Sequence, residues 1–466
     1  MTETRDTLSI ASERDAGGAV LPVLVVAWAE DPSLVGAIVN LTRPHERSTF
    51  GRGSRSPSDP LPRVLLARQR PSDTREVALA SDFVSKHQLA LTLDDTSIEV
   101  ENTGKRALLD GAGVARDALR VEVGDVIEIK GQMVLVCAAR PAELPSLKSG
   151  RVDRAHVFGQ ADEAGFVGES PAAWALRDQI AFVAGRRAHV LLLGDSGAGK
   201  ELVARALHRL SDRKGRAMVS RNAATLPAGI ADAELFGNAA NYPNSGTAER
   251  PGLIGEANGS TLFFDEIGEL PEELQAKLLR VLDEGGEYQR LGDARRRQSD
   301  LRFIGATNRP LEALKHDVAA RLRLRVTVPG LSTRREDIML VALHIMRRIA
   351  AEDDEVARRF MQDGTPRLEP ALVRALVGHE YRTHVRELEG LLWSSMAAAP
   401  GQVLTLSDEV RAQLVPQERA DARDIGEQDV RKALERVGGV REKAWRELGL
   451  ANRYVLARLM KKYNID

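Results

Sequence analysis

The sequence predicts a multidomain fold in which an all-β unit is followed by an α/β domain with a helical lid and then by a small all-α unit. The 466 residues are too many for one hydrophobic core. Short β-rich segments give way to strands alternating with amphipathic helices, and the stretch from Arg334 to about Ser395 is predicted to be wholly helical. The predicted parts are a disordered tail (1–20), the β unit (21–140), a linker (141–165), the α/β core (166–333), the lid (334–412), a linker (413–426) and the terminal unit (427–466).

The composition is that of a globular protein, with 43% hydrophobic and 29% charged residues and a net charge of −1. Cys137 is the sole cysteine, which excludes a disulfide framework and a cysteine-based zinc site and fits a reducing compartment. The first twenty residues lack the apolar core of a signal peptide, and no run approaches the ~18 apolar residues of a membrane span. We therefore expect a cytoplasmic protein without membrane contact.

The first predicted domain is built from short apolar or alternating segments separated by turn residues, the pattern of a β-sandwich or barrel. The predicted strands are Val23–Trp28, Arg63–Ala67, Gln88–Leu93, Ser97–Glu101, Val126–Ile129 and Met133–Cys137.

Several short motifs of this segment resemble those of a forkhead-associated (FHA) domain, a β-sandwich that binds phosphothreonine peptides. They are Gly51-Arg52, Asp82-Phe-Val-Ser85-Lys86, Asn102, Asp110-Gly111 and Gly124-Asp-Val-Ile127. The resemblance implies that Arg52, Ser85 and Lys86 bind a phosphate, that Asn102 holds the peptide backbone, and that the partner is a phosphothreonine-containing protein or a Ser/Thr kinase. Gln88 replaces the family's structural histidine, so a docking module without phosphate recognition is the alternative.

An apolar strand at 191–193 runs into a glycine-rich loop that ends in a lysine and begins a helix. In such a loop the backbone N–H groups approach phosphate oxygens, the helix dipole favours the anion, and the lysine reaches the outer phosphates. The sequence therefore predicts a nucleoside triphosphate site. Its candidate residues are Gly194, Asp195, Ser196, Gly197, Ala198, Gly199, Lys200 and Glu201. Glu201 stands where the general pattern has the Ser or Thr that holds Mg²⁺, so the metal has to rely on other ligands.

Two further strands end in polar residues. The strand beginning at Thr261 ends in Asp265, placed to hold Mg²⁺ through water, and Glu266, placed to orient and deprotonate an attacking water. The strand at 301–306 is followed by Thr307 and Asn308, candidates for sensing the γ-phosphate. Taken alone, both pairs also fit ordinary polar turns.

Five motifs together resemble the AAA+ domain of NtrC-like sigma-54 activators, over about residues 168–399. They are Gly194–Glu201, Glu234–Gly237, Gly259–Pro271, Gln275–Leu282 and Gly305–Asn308. The resemblance implies that Asn222 restrains the catalytic glutamate and that Arg386 is the sensor arginine of a lid closing over ATP. It also makes Arg321 an arginine finger, makes Glu201 a family trait, and predicts self-association from a dimer to a hexameric ring whose neighbouring subunits complete each site.

Two positions depart from this family pattern. The family grips sigma-54 with a Gly-Ala-Phe-Thr-Gly-Ala loop, whereas this chain has Asn241-Tyr-Pro-Asn-Ser-Gly246. Lys315 stands where a second arginine finger is expected, and lysine keeps the charge but lacks the bidentate fork. We therefore expect a slow or conditional ATPase.

The segment 427–466 is locally basic, with ten Lys/Arg against six Asp/Glu, which suits a nucleic-acid contact but also an ordinary solvated surface. Helices are predicted at Glu427–Val437, Arg441–Leu448 and Asn452–Tyr463, and the short turn before the last favours a helix-turn-helix. The unit resembles the Fis-type DNA-binding module of sigma-54 activators. The resemblance implies base contacts from Asn452, Arg453, Tyr454 and Arg458, with Lys461 and Lys462 nearer the phosphates. A dimerisation tail is the alternative.

These resemblances predict an FHA-like sandwich, an AAA+ P-loop domain with a helical lid, and an all-α helix-turn-helix unit. Three functions remain open. The chain is an ATP-driven activator of sigma-54 RNA polymerase that binds upstream promoter DNA and responds to a phosphopeptide; or a DNA-binding repressor or co-regulator that no longer contacts sigma-54; or a phosphopeptide-binding signalling scaffold. The loop 241–246 distinguishes the first two functions, because an ATPase without the loop that contacts sigma-54 cannot remodel the polymerase.

Overall fold

The N-terminal unit is all β. The computed structural model describes residues 20–41, 43–150, 152, 155–227, 229–414, 425–450, 456, 457, 459, 460, 463 and 465. In this part of the chain the N-terminal strands are β1 (Val20–Ala29), β2 (Ile38–Val39), β3 (Arg47–Phe50), β4 (Leu66–Arg70), β5 (Asp73–Val77), β6 (Leu89–Leu93), β7 (Ser97–Asn102), β8 (Leu108–Leu109), β9 (Ala115–Arg116), β10 (Ala118–Glu122), β11 (Val126–Ile129) and β12 (Met133–Pro141).

These strands form two antiparallel sheets, in the orders β5-β4-β2-β1-β12-β11-β8-β9 and β10-β7-β6-β3. Alternate side chains of both sheets, such as Leu24, Leu91 and Ile127, pack into one apolar core, so the unit is a sandwich as predicted. The predicted strand at 63–67 begins later, at Leu66. The reason is Arg63, whose buried guanidinium donates to Asp59 and to the Lys86 carbonyl, which leaves that stretch outside the regular ladder.

An α/β domain follows. Its elements are α1 (Pro171–Ala184), β13 (Val190–Leu193), α2 (Lys200–Arg209), β14 (Val219–Asn222), α3 (Ala231–Phe236), α4 (Gly252–Glu256), β15 (Thr261–Asp265), α5 (Glu272–Leu282), β16 (Glu287–Gln289), β17 (Arg296–Gln298), β18 (Arg302–Thr307), α6 (His316–Arg321) and β19 (Leu324–Thr327). Five parallel strands form the sheet β14-β15-β18-β13-β19, while β16 and β17 form a separate hairpin. The strand that leads into the phosphate loop thus lies inside the sheet, beside the strand that precedes Asn308.

The lid contains α7 (Ile338–Glu352), α8 (Asp354–Phe360), β20 (Met361–Gln362), β21 (Thr365–Pro366), α9 (Pro370–Gly378), α10 (His384–Ala398) and α11 (Asp408–Gln413). The prediction of an uninterrupted helical region is wrong at β20 and β21, which pair as a short hairpin. Asp363 and Gly364 between them both have positive φ, 49° and 74°. An Asp-Gly pair favours this tight turn, and it ends the helical pattern.

At the end of the chain, α12 (Glu427–Arg436) and α13 (Arg441–Glu447) confirm the first two predicted helices. Val430, Trp445 and Leu456 contribute to a small separate core. All six predicted DNA-contacting residues, Asn452, Arg453, Tyr454, Arg458, Lys461 and Lys462, lie outside the described residues. Among the residues that are described, no helix is both long enough and apolar enough to span a bilayer.

The sandwich and the lid share one hydrophobic core. Val25 and Val136 of the eight-stranded sheet pack in the same cluster as Leu340 of α7 and Leu376 of α9. An ion pair between Glu128 on β11 and Arg374 on α9 lies beside this core. The N-terminal unit is therefore packed directly against the lid.

Candidate functional site

The phosphate loop connects β13 to the amino terminus of α2. Gly194, Gly197 and Gly199 have φ values of 158°, 76° and 102°, which side-chain-bearing residues rarely adopt. The amino terminus of α2 receives no side-chain cap, so its N–H groups remain available to an anion. Lys200 is buried, and its Nζ donates to the carbonyl oxygens of Gly194 (2.9 Å) and Asp195 (3.2 Å). The loop is thus formed as a phosphate cradle.

The acidic residues after β15 lie next to this loop. Glu266 has φ 52°, and its Oε1 lies 3.8 Å from Lys200 Nζ. Its Oε2 accepts the Asn308 N–H at 3.4 Å, so three predicted residues from three different segments converge. Asp265 accepts the Glu266 N–H through Oδ1 at 3.0 Å. Its carboxylate is the hard oxygen ligand that Mg²⁺ prefers, and one carboxylate plus substrate phosphates is a common Mg²⁺ set, so these residues fit the metal.

Glu201 does not contribute to this oxygen set. On the first turn of α2 its Oε1 accepts from Arg205 Nη2 at 2.6 Å, and its side chain is 55% exposed. The pair spans one helical turn, the spacing at which opposite charges attract each other.

Asn222 is placed differently from the prediction. It ends β14 opposite Asp265 in the sheet register, but its Oδ1 accepts the Ala224 N–H at 2.9 Å, and no described hydrogen bond joins it to Glu266. Asparagine side chains readily bond backbone N–H groups two residues ahead, and this local bond sets the orientation of the amide, whose Nδ2 would have to donate to the Glu266 carboxylate. The expected direct restraint of Glu266 is therefore not made in this structure.

The two finger candidates lie at opposite ends of α6, Lys315 directly before the helix and Arg321 as its last residue, and each pairs with an acidic residue at one end of α5. Arg321 donates to Asp283 at 2.5 Å, and Lys315 Nζ lies 3.4 Å from Glu272. Within the described residues, no hydrogen bond or ion pair joins either cation to the phosphate loop. The two cations are thus not part of their own subunit's site in this structure.

The lid reaches the phosphate loop through the start of α10. Arg386 Nη1 donates to Ser196 Oγ at 3.2 Å, which places the predicted lid arginine at the loop. The Val385 N–H donates to the Gly197 carbonyl at 3.2 Å. A Cβ on Gly197 would lie 2.0 Å from the Thr383 carbonyl oxygen, so the close approach requires glycine there.

Two lid residues at this contact were missed from the sequence. His384 bonds to Asp195, and Glu387 accepts the N–H groups of Arg382 and Thr383, which shapes the turn before α10. Burial raises the pKa of Glu387. The bonds from these two N–H groups and from His379 together lower the pKa by more than burial raises it, so the net shift is downward. Both residues lie within two positions of Arg386 in the sequence, and this feature could have identified them, because residues that flank a contact are held close to it.

The candidate phosphopeptide residues are brought together in the sandwich by Gln88, which is fully buried. Its Oε1 accepts the Ser85 N–H at 3.3 Å, and its Nε2 donates to Asn102 Oδ1 at 2.8 Å. The Arg52 N–H donates to the Ser85 carbonyl at 3.0 Å. Gln88 thus connects Ser85 to Asn102.

The charged groups of this cluster remain accessible. Arg52 Nη1 bonds to Asp82, whose side chain is 95% exposed, and Lys86 is exposed. Among the described residues, Asp82 is thus the one carboxylate with which an anion has to compete for Arg52, and such surface pairs contribute little.

The parallel sheet, the phosphate loop, the acids after β15 and the lid define a P-loop nucleotide-binding domain of the AAA+ class. The family model described as "Sigma-54 interaction domain" matches residues 166–328. The chain is 34% identical over 337 residues to the transcriptional regulatory protein ZraR of Salmonella typhimurium, which covers 68% of this chain and 70% of the relative. It is 38% identical over 291 residues to the nitric oxide reductase transcription regulator NorR1 of Cupriavidus necator, covering 59% and 55%.

Among solved structures, NtrX from Brucella abortus in complex with ATP is similar at 30% identity, with a TM-score of 0.46, covering 66% of this chain and 70% of that one. The family model and the ZraR relative decide the assignment. The chain belongs to the family of sigma-54-dependent transcriptional regulators.

Proposed function

We propose that this chain is an ATP-binding, DNA-binding transcriptional regulator whose ATPase domain is controlled by phosphopeptide binding to an FHA-type sandwich. The observation that supports it most is the convergence of Lys200, Glu266, Asn308 and Arg386 on one phosphate loop. These residues supply the cation, base, sensor and lid contact that phosphoryl transfer to water requires.

In the proposed mechanism, Lys200 leaves its two carbonyl partners and binds the outer phosphates. Glu266 takes a proton from the attacking water, and Asn308 holds that carboxylate through its N–H. Asp265 would hold Mg²⁺, which would neutralise charge on the phosphates. Arg321 and Lys315 serve the site of a neighbouring subunit, since within the described residues they pair with Asp283 and Glu272 and make no hydrogen bond or ion pair to their own phosphate loop.

Reconstituted transcription tests the activator form of this proposal. With sigma-54 holoenzyme on a promoter that this protein binds, the activator form predicts ATP-dependent open complexes from the wild type and none from Lys200→Ala. Loss of the buried ammonium should weaken ATP binding at least about tenfold. Lys214→Ala, an exposed lysine shortly after α2, is the matched control. Open complexes that form equally well with Lys200→Ala would show that ATP does not drive activation.

The loop at 241–246 favours a second function, in which the chain regulates transcription without contacting sigma-54. The Asn241 N–H donates to the Thr247 carbonyl, and the Gly246 N–H donates to Asn241 Oδ1. Tyr242 lies against Gly292 between β16 and β17, where a Cβ would approach its ring to 2.4 Å. The loop is thus closed on itself and packed on the neighbouring hairpin.

A loop exchange separates the two functions. If the chain acts as a repressor or co-regulator, replacing 241–246 with Gly-Ala-Phe-Thr-Gly-Ala creates sigma-54-dependent activation that the wild type lacks. If the wild type already activates as strongly as the exchanged protein, the repressor function is wrong.

Arg52→Ala tests the phosphopeptide input. On an array of phosphothreonine peptides and their unphosphorylated counterparts, we expect the variant to lose at least about tenfold in phosphate-dependent binding, because hydrogen bonds to a charged phosphate are strong. Arg75→Ala, an exposed arginine on β5, should bind like the wild type. Wild-type binding that ignores phosphorylation would instead support a docking module, the scaffold alternative.

A further inference from the structure

Three consecutive residues of the lid contact three consecutive residues of the phosphate loop. His384 bonds to Asp195, and Arg386 bonds to Ser196. Between them, the Val385 N–H bonds to the Gly197 carbonyl. The lid therefore meets the loop along its length, and not through the arginine alone.

His384 is the most constrained member of this contact. It has φ 47°, and its side chain is 2% exposed. Backbone strain of this kind in a side-chain-bearing residue persists where surrounding contacts hold it, often at functional sites. Its ring also packs on Gly330, where a Cβ would lie 2.3 Å from Nε2. Gly330 lies between β19 and the lid. The imidazole of His384, which is itself a lid residue, therefore contacts both this connecting segment and the phosphate loop.

The hydrogen-bond geometry fixes the direction of this contact. His384 Nε2 lies 3.1 Å from Asp195 Oδ2, and an ionised carboxylate can only accept. Nε2 is therefore the donor. The other ring nitrogen, Nδ1, is buried and has no hydrogen-bond partner among the described residues, so the Asp195 bond is the polar contact that orients the imidazole.

We propose that His384 is a positioning residue that holds the lid closed on the phosphate loop through Asp195 and so slows the release of bound nucleotide. The proposal rests on the proposed nucleotide site. Because the Asp195 side chain is 56% exposed, solvent weakens the bond, and the effect on the rate is moderate.

Nucleotide dissociation measures this role. A fluorescent ADP analogue is chased with excess ATP in stopped flow, using the wild type, Asp195→Ala, His384→Asn and the double variant. Asparagine tolerates positive φ, but its amide is one bond shorter than the imidazole and cannot reach Asp195. We expect each single variant to release the analogue about fivefold faster. We expect the double variant to be no faster than either single one, since both remove the same bond.

A conservative variant of Asp195 and a control variant at an exposed residue complete the test. Asp195→Glu keeps an acceptor, and it should restore dissociation to within about twofold of the wild type. Asp212→Ala, an exposed aspartate after α2, should not change the rate. If His384→Asn does not fold, the contrast between Asp195→Ala and Asp195→Glu still decides, because the Asp195 side chain lies at the surface.

The outcomes separate this inference from the proposed function. Wild-type rates in both single variants, or lower thermal stability without faster release, would overturn the role of His384. Multiplicative acceleration in the double variant would overturn it as well, because the two residues would then act independently. Failure of the wild type to bind the analogue would instead contradict the nucleotide site itself.

Discussion

Glu266→Gln should reduce ATP hydrolysis by about a hundredfold or more while nucleotide still binds. General-base catalysis contributes ~10²–10⁴-fold, and glutamine has the shape of glutamate without its basicity. The amide oxygen still accepts the Asn308 N–H that the carboxylate accepts at 3.4 Å. The phosphate-binding groups, Lys200 and the amino terminus of α2, are unchanged. The measurement is steady-state phosphate release together with ATP affinity.

Glu269→Gln is the matched control for this experiment. Glu269 lies three residues further along the same turn and pairs with Arg309 at 2.5 Å. We expect its variant to hydrolyse ATP within about twofold of the wild type, because an exposed pair contributes little. Comparable rates from Glu266→Gln and the wild type would remove Glu266 from the base role.

Local motifs predicted the part of the site that depends on short stretches of chain. The strand, loop and helix around Lys200 follow from adjacent residues, and so do the acids that end β15. In parallel sheets the carboxyl ends of neighbouring strands meet at one edge, so the convergence of Glu266 and Asn308 was also predictable.

The direction of individual side chains was less predictable. Asn222 lies at the expected strand end, but its oxygen bonds to its own turn. A nearby backbone N–H orients the amide through its oxygen, and sequence spacing does not show which orientation the side chain takes. His384 was missed for a related reason, since its bond joins residues 189 positions apart.

The contact between the sandwich and the lid could not be predicted either. Beside the shared apolar core it contains Arg140, a buried residue of β12 that donates to Gln69 Oε1, Glu336 Oε1 and the Glu169 carbonyl. Glu336 lies 196 residues further along the chain, two residues before α7 begins. In the sequence, an arginine at the end of a strand resembles a surface residue, because burial of a charge requires partners that are visible only in the fold.

Burial makes this contact sensitive to pH as well as to mutation. It raises the pKa of Glu336 to about 7, although the attraction of Arg140 lowers it. A carboxyl group with a raised folded-state pKa binds more protons in the folded state than in the unfolded one. Its contribution to stability is therefore present at low pH and is lost as the pH rises from about 4.3 towards 7.

Arg140→Met should destabilise the joined sandwich and lid by about 3–5 kcal/mol at pH 8, because it leaves the Glu336 charge buried without its cation. The loss should be smaller at pH 5.5, where Glu336 can take up a proton. Urea unfolding followed by circular dichroism at both pH values measures it. Arg140→Met combined with Glu336→Met should recover part of the stability, since no charge is then left buried, while the Gln69 oxygen still lacks its donor. Arg120→Met, an exposed arginine of β10, is the control. If Arg140→Met unfolds like this control at pH 8, the guanidinium does not hold the two domains together.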